Sequence, residues 1–412
     1  MTGEHVARPT LPEKVCTRAA ELLSRHVGKT AAVVGQQILN HDGHAFVARV
    51  LLDDGSPLAS AVVKMAHRGD NDEFDKDDAD PYGPAARLWN EWAGLEFLSS
   101  LPTPCTAVPA FYGGDAALGF VVIEDLGAGP SLANLLLGTS AEQARAGLDG
   151  YVDALAEVHL ATFGRTEAYD DLRARLGTTA PAHHGFSAAK CLGDLTTPLG
   201  TLDPTIDLDG DVAAAIAWID AILDDPGPWR AFSLNDCCPD NNRVDEHGRL
   251  RLFDVEFADA RHALLDVAYL RTTMPTCWCV RRLLPDLAED LVQRYRDRLA
   301  AGGRATSDAD FHTALNACAA FWALLNASWH LEAALEPTGA DRSHWDAYDF
   351  TFGSRRQIFL QRLAELADAA DRQPELAALR SRLADPARAA ARRAWQVVDP
   401  LPLYPAFAGG KT

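Results

Sequence analysis

Lysine is scarce in this 412-residue chain: six of its 38 basic residues are lysine and the rest are arginine. A lysine in an apolar setting therefore stands out. No apolar run approaches the roughly 20 residues needed to span a bilayer as a helix. The N-terminal stretch MTGEHVARPTLPEK lacks the apolar core of a secretory signal, and the expectation is a cytoplasmic protein. No C-x-x-C pair occurs among the eight cysteines, so the usual zinc and dithiol signatures are missing, and reduced thiols are expected. The pairs Cys237-Cys238 and Cys277-x-Cys279 could converge on a metal, but adjacent cysteines rarely serve one tetrahedral site, and structural zinc receives little weight on sequence alone.

Positive charge is also short. Against 38 basic residues stand 58 acidic ones, a net charge of -20. This argues against nucleic acid and anionic membrane as partners, because counterion release would work against binding. The acidity serves solubility in the plainest reading and attraction of a cationic substrate in a sharper one. A polyphosphate can bind such a chain only where a divalent cation and a local basic residue offset the field.

What is present suits a soluble globular protein with more than one lobe: 48% hydrophobic and 23% charged residues over a length that supports a sizeable core. Residues 12–26 repeat apolar positions at helical spacing (Val15, Ala19, Leu22, Leu23). Three strands follow over 31–65, with turns at Asn40–His44 and Asp53–Pro57. The polar, acidic stretch 67–84 reads as a mobile surface loop. A helix over 85–99 and two short strands within 107–124 complete a β-rich lobe at 1–125. From 126 to 412 the pattern is helical, with helices over 131–137, 141–163, 211–224, 264–272, 286–301, 308–335, 353–370 and 374–396. The expected fold class is α+β: a small β-rich N-terminal lobe and a larger, mainly helical C-terminal lobe.

The exception in the helical half is Ser233 to Leu270, SLNDCCPDNNRVDEHGRLRLFDVEFADARHALLDVAYL. Asp236 is followed five residues later by Asn241. A turn at 245–248 leads into a short apolar strand, Leu250 to Phe253, ending on Asp254. An Asp in a turn is ordinarily a cap or turn former. A carboxylate, an amide and a second carboxylate at these spacings, flanking a short strand, are what Mg²⁺-assisted phosphoryl transfer requires. Asp236 is then the base, or the positioner of an acceptor hydroxyl. Asn241 and Asp254 are oxygen ligands for Mg²⁺; Asp240 and Asn242 are neighbours that could be mistaken for them.

Lys64 ends the third strand in AVVKM, where an ammonium could reach phosphate oxygens; the plain alternative is an edge lysine facing water. Glu91 lies one turn from Leu88 and Leu95, on the apolar face of the following helix, and is preferred over Glu96 as its partner. GFVVIEDLGAGPSL reads as a connector between lobes, with the backbone of Glu124 and Leu126 holding adenine; its plain alternative is an ordinary strand-to-helix loop. Contacts from Asn40 to Gly43 cover the phosphates in the weakest of these assignments, since no G-x-G-x-x-G occurs there. Trp278, Trp322 and Trp329 are candidates for an acceptor-pocket wall, against the commoner reading of packed core.

In this order, AVVKM, RLWNEW, VIEDLG, LNDCCPDNN, LFDVEF and LLDVAYL resemble the aminoglycoside phosphotransferase and choline kinase family of small-molecule kinases over about residues 30–270. The resemblance implies a bilobal, protein-kinase-like fold. It implies ATP (or GTP) and Mg²⁺ as cofactors, a small-molecule hydroxyl as acceptor, and the roles above for Lys64, Glu91, Asp236, Asn241 and Asp254. It also implies structural roles for Asp266, bracing the loop, and for His159. The chain departs from the family at Leu234, where a His is usual two residues before the catalytic Asp; the loop is then expected to be held by packing. The alternatives are a kinase-like nucleotide-binding module without turnover and a protein kinase. Asp266 follows Asp254 by only twelve residues, which leaves no room for a long activation loop. Sequence leaves the acceptor and the oligomeric state open.

Overall fold

The computed structural model describes residues 10–40, 45–66, 74–177, 186–208, 210–336, 353–395 and 398–409. In chain order its elements are α1 (Glu13–Val27), β1 (Val33–Asn40), β2 (Ala45–Leu52), β3 (Ser60–Ala66), α2 (Pro84–Ser100), β4 (Phe111–Asp115), β5 (Phe120–Glu124), α3 (Leu132–Leu137), α4 (Ala141–Thr162), α5 (Glu167–Arg175), α6 (Ala188–Leu202), α7 (Asp211–Asp224) and β6 (Arg230–Ser233). Then come β7 (Asn242–Val244), β8 (Leu250–Leu252), β9 (Asp259–His262), α8 (Leu264–Ala268), α9 (Pro285–Ala301), α10 (Asp308–Leu335), α11 (Arg355–Arg372), α12 (Asp385–Trp395) and α13 (Pro405–Ala408). They form two compact units. The first is Met1–Ala128 with Glu167–His184 and Arg251–Asp259; the second is Gly129–Thr166, Gly185–Leu250 and Ala260–Thr412.

The first unit is built on a five-stranded antiparallel sheet in the order β1-β2-β3-β5-β4. Along β3 the side chains alternate. Ala61, Val63 and Met65 are buried on one face, in a core they share with Val15, Ala19 and Leu23 of α1 and with Phe120 and Val122 of β5. The period of two turns Lys64 to the opposite face, opposite Val47 on β2 and Val121 on β5. Two glycines of β4 let a helix approach each face. A Cβ on Gly113 would fall 2.8 Å from Leu22 of α1, and one on Gly114 would fall 2.5 Å from Trp92 of α2. Beyond α2 lies α5, with the rings of Phe97 and Tyr169 6.0 Å apart. The Tyr169 hydroxyl donates to the Ala258 carbonyl at 2.9 Å, fastening the segment after β8 into this unit.

The second unit is helical. Its central helix, α10, is buried along most of its length, as an element hydrophobic all round must be. Helices α6, α7, α8 and α11 pack against it, and α9 packs against α4. Strands β6 and β9 form a two-stranded sheet beneath the loop that carries Asp236.

The periodicities locate the five-stranded sheet, α1, α2 and most of the helices. They miss α5, which is largely charged, and α6, which holds Pro198 in its interior. The helix expected over 374–396 is interrupted: a 3₁₀ turn at Pro374–Leu376 and a wide π-type turn at Leu379–Ala384 precede α12. Pro374, which lacks an N–H, separates this stretch from α11 and is tolerated as the first residue of the 3₁₀ turn. The helix expected over 264–272 closes at Ala268, and the strand expected to Phe253 closes at Leu252. Gly43 and residues 67–73 of the acidic stretch lie outside the described residues. Among the described residues, no helix is long and apolar enough to cross a membrane.

Candidate functional site

The sequence candidates fall into two sets, one in each unit. In the first unit they meet at Lys64. Its Nζ donates to Glu91 Oε2 at 2.6 Å, to Glu256 Oε2 at 3.2 Å and to Asp254 Oδ1. Glu91 comes from α2, on the sheet face that β3 gives to Lys64; Glu96, the alternative, instead accepts the Trp92 indole N–H at 2.8 Å. Asp254 and Glu256 follow β8. Two further residues of α2 hold Glu256: Asn90, next to Glu91, and Arg87, one turn before it. The Asn90 amide donates to the Glu256 carbonyl at 2.9 Å, and Arg87 Nη1 donates to Glu256 Oε1 at 3.2 Å. Asp254 turns its side chain in from a left-handed backbone, φ 64°, a conformation that Asp tolerates better than most residues.

One ammonium here faces three carboxylates. The cation is over-compensated, and the three acidic neighbours, against its burial, hold Lys64 well above its usual range. The anions are under-compensated. Burial first, then the like charges of Asp254 and Glu256, push Glu91 up to about 7 although Lys64 pulls the other way. Both partners of one ion pair therefore shift upward, because a single positive charge is divided among three negative ones.

The connector is tied to the sheet. Asp125 Oδ1 accepts from Arg49 Nη2 at 2.9 Å and from the Gly127 N–H at 3.0 Å, and Oδ2 accepts from the Ser60 hydroxyl at 2.6 Å. Burial opposes ionisation, but these donors hold the Asp125 carboxyl below its usual range. The Glu124 carboxylate accepts from Arg251 Nη2 at 2.7 Å and from the Ala110 N–H at 3.0 Å, so its side chain is occupied by its own lobe. Leu126 is half-buried and Asn40 closes β1.

In the second unit, Asp236 and Asn241 are joined. Asn241 Nδ2 donates to Asp236 Oδ2 at 3.1 Å and to its carbonyl at 3.2 Å. The Thr276 hydroxyl donates to Asp236 Oδ1. Asn242 is a scaffold: its Oδ1 accepts the Leu132 N–H at 2.8 Å and its Nδ2 donates to the Pro239 carbonyl at 3.0 Å. Asp266 braces the loop from beneath. It accepts from the Ser233 hydroxyl at 2.6 Å, the Leu234 N–H at 2.8 Å and the Asn235 N–H at 3.2 Å. His159 stands between Asp266 (Nε2 at 3.1 Å) and the Tyr295 hydroxyl (Nδ1 at 2.8 Å). Leu234 itself is 1% exposed, so packing and the Asp266 hydrogen bonds act together where a His is usual.

Among the described residues, four non-glycine residues have left-handed backbones: Asn235, Asp254, Thr273 and Met274. All belong to the segments just described or lead directly to Thr276. Thr273 is β-branched, which makes this conformation costly. It is held by Arg362, which is fully buried: Nη1 donates to the Thr273 hydroxyl at 2.6 Å and to Glu365 Oε2 at 2.7 Å, and Nε donates to Asn326 Oδ1 at 2.6 Å. The Asn326 amide in turn donates to the Pro275 carbonyl at 2.6 Å.

The three tryptophans part company. The indole N–H of Trp278 donates to Asp240, in the loop after Asp236. Trp322 is core: its N–H donates to the Leu265 carbonyl at 2.9 Å and its ring meets Tyr269 edge-on. Trp329 is 42% exposed, 6.0 Å from the ring of Phe186. Sequence reading passed over Glu256, Thr276 and Arg362. Glu256 stood inside LFDVEF, two residues after Asp254, but nothing in the sequence pointed to Thr276 or Arg362, which reach the site only through tertiary contact.

No protein-family model and no curated protein matches this chain. Solved structures similar to it include the choline kinase of Streptococcus pneumoniae (14% identity, 86% of this chain and 100% of that one, TM-score 0.44). A choline kinase from Cryptosporidium parvum matches at 10% identity over 84% of this chain and 92% of its own, with a TM-score of 0.48. A macrolide 2′-phosphotransferase from Brachybacterium faecium matches at 14% identity over 79% and 93%, with a TM-score of 0.42. At these identities and TM-scores the likeness carries no functional argument.

Proposed function

We propose that this chain is a nucleotide-dependent phosphotransferase, moving the γ-phosphate of ATP or GTP to a hydroxyl of a small molecule. The observation that carries the reading is the convergence of Glu91 and Asp254 on the Lys64 ammonium. In this reading Lys64, oriented by Glu91, binds the α- and β-phosphate oxygens. The backbone of Glu124 and Leu126 receives the base, and Arg49 keeps that connector in place through Asp125. Asp236 orients the acceptor hydroxyl and takes its proton late, since a loose transition state needs position more than early deprotonation.

The oxygen donors suit Mg²⁺, which prefers oxygen ligands. The Asn241 amide nitrogen is engaged by Asp236, which leaves its oxygen as the ligand, and Asp254 retains a second carboxylate oxygen beside the one Lys64 takes. Mg²⁺ held by such oxygens would neutralise charge on the phosphates. An Asp236 loop without support would favour a protein lacking turnover. That loop is instead braced by Asp266 in spite of Leu234.

The test is a screen of hydroxylated small molecules (aminoglycosides, amino sugars, nucleosides, choline-like alcohols) with Mg-ATP and Mg-GTP. It is read by nucleoside diphosphate release and by product mass. An acceptor gaining one phosphate is expected, with turnover lowered about 10²–10⁴-fold in Asp236→Asn and abolished in Asp254→Ala. Full activity in either variant overturns the assignment. Nucleotide binding without turnover on any acceptor makes the chain a binding module, and phosphate appearing only on protein makes it a protein kinase.

A further inference from the structure

The adjacent cysteines Cys237 and Cys238, which argued against a metal when read as one pair, diverge in the fold. Cys237 is buried beside Tyr151 and Asp266. Cys238 faces the segment 276–279, with its Sγ 3.3 Å from Thr276 Oγ1. From that segment Cys277 brings its Sγ to 3.9 Å from Asp240 Oδ1 and to 2.9 Å from the Sγ of Cys279. One ligand atom from each of Cys238, Asp240 and Cys277 lies within 4.8 Å of the other two. Cys238, Cys277 and Cys279 are all buried and all free thiols.

The mutual spread of Cys238, Asp240 and Cys277 is compatible with ligands on one tetrahedral ion, and Cys279, 2.9 Å from Cys277, stands outside that group. With metal–sulfur bonds of about 2.3 Å, two thiolates on one Zn²⁺ stand about 3.8 Å apart. The second carboxylate oxygen of Asp240 is held by the Trp278 indole N–H, the kind of outer partner that fixes a ligating carboxylate in place. The members come from two stretches of chain, 238–240 and 276–279, and both are already positioned by the loop contacts above. Cys238 and Cys277 are buried and Asp240 is half-buried.

We propose that Cys238, Asp240 and Cys277 form a three-ligand binding site for a thiophilic divalent cation of the Zn²⁺ class, its fourth position left to solvent. On binding, each of the two thiols releases its proton to solvent and forms a metal–sulfur bond; the carboxylate binds as the anion, and nothing is oxidised or reduced. The ion would join the loop that carries Asp236 to the segment that carries Thr276, whose hydroxyl holds the Asp236 carboxylate. It is therefore a clamp on that loop, chemically separate from an oxygen-ligated Mg²⁺, which thiolates do not favour. The inference stands on the cluster itself and does not depend on the phosphotransferase reading.

The test uses the full chain, reduced, stripped of metal and titrated with Co²⁺ under anaerobic conditions. One equivalent is expected to bind, with thiolate-to-cobalt charge-transfer absorption and the intense visible bands of tetrahedral Co²⁺, both removed by Zn²⁺. Cys277→Ala and Cys238→Ala should abolish the spectrum, and Asp240→Asn should weaken binding at least about 10-fold. Cys105→Ala and Cys191→Ala, which remove buried thiols elsewhere, should leave it unchanged. Should a variant fail to fold, alkylation of the unaltered protein decides: Zn²⁺ is expected to shield Cys238 and Cys277 and to leave Cys16, Cys105, Cys191 and Cys318 unaffected. Absence of the charge-transfer band, its persistence in Cys277→Ala, alkylation indifferent to Zn²⁺, or a disulfide joining these cysteines in the isolated protein would each overturn the proposal.

Discussion

The carboxylate of Asp266 accepts the backbone N–H of Leu234 at 2.8 Å. That bond fixes the start of the loop whose next-but-one residue is Asp236, and it depends on the main chain and not on the side chain at 234. A loop can thus keep its shape when the usual His is replaced by an apolar residue, provided the buried acceptor beneath it is retained.

Removing that acceptor should be severe. Asp266→Ala leaves the Leu234 and Asn235 N–H groups, the Ser233 hydroxyl and His159 without their common partner in a fully buried setting. The expected loss is about 3–5 kcal/mol, read as a lower urea midpoint. Asp266→Asn, which keeps one acceptor oxygen, should lose less. Equal stability of Asp266→Ala and the unaltered protein would show that the loop is held by something else.

Arg362 and Glu365 should behave as a coupled pair. They are 2.7 Å apart, and Arg362 is fully buried. Arg362→Leu or Glu365→Leu alone strands a buried charge and should cost about 3–5 kcal/mol. The double variant should be more stable than the sum of the single losses implies, with a coupling of at least about 1 kcal/mol. Additive losses in a double-mutant cycle of denaturation free energies would refute the pairing. Because Arg362 also supports the left-handed Thr273, the single Arg362 variant should raise hydrogen exchange through 272–277 as well.

The proton on Glu91 gives stability a pH dependence of known sign. Burial keeps this carboxyl protonated up to about 7 in the folded chain, against 4.5 when unperturbed. Between those values the folded state binds more protons than the unfolded one. The contribution of Glu91 to stability therefore declines as pH rises through that window and is fully lost above it. Lys64 acts elsewhere: with its value raised above 10.5, its contribution is present throughout this window and is lost only in strong alkali. The stability difference between the unaltered protein and Glu91→Gln should thus shrink as pH rises from about 5 to about 8. Urea denaturation at several pH values measures it, and a difference that grows with pH would contradict the burial argument.

Gly129 should not tolerate a side chain. A Cβ there would sit 2.0 Å from the carbonyl oxygen of Val244, and that carbonyl belongs to backbone, which cannot swing aside. Gly129→Ala should lower stability by roughly 3 kcal/mol or more, beyond the usual range for overpacking. Gly127→Ala places its Cβ in open space but at φ 84°, so it should cost only the smaller backbone penalty of about 1–2 kcal/mol. Thermal melting of the two variants separates steric clash from backbone strain.

Much of the first unit could be read from the chain because its signals are local. A period of two along β3 puts Lys64 on the face away from Val63, and a period of 3.6 along α2 puts Glu91 among Leu88 and Leu95. In the sequence itself, lysine scarcity and the apolar run before Lys64, with the helical period around Glu91, single out this lysine and this glutamate before any coordinates. The spacing between Asp236 and Asn241 is local too, since five residues of loop bring the amide back to the carboxylate. Helices α5 and α6 escaped because charge and an internal proline mask their apolar faces, and tertiary packing overrides the propensity. Glu256 as a third claimant on Lys64, Thr276 on Asp236, Arg362 under Thr273, and the parting of Cys237 from Cys238 lay beyond the sequence. Each depends on which atoms meet across many residues of chain and on how deeply they are buried, and neither distance nor burial is encoded in any short stretch. The amino-acid order by itself determined which residue types carry the chemistry and on which face of their element each stands. Only the tertiary structure decided how many charges share one ammonium, which hydroxyl holds the Asp236 carboxylate, and that three groups able to ligate a metal lie beside it.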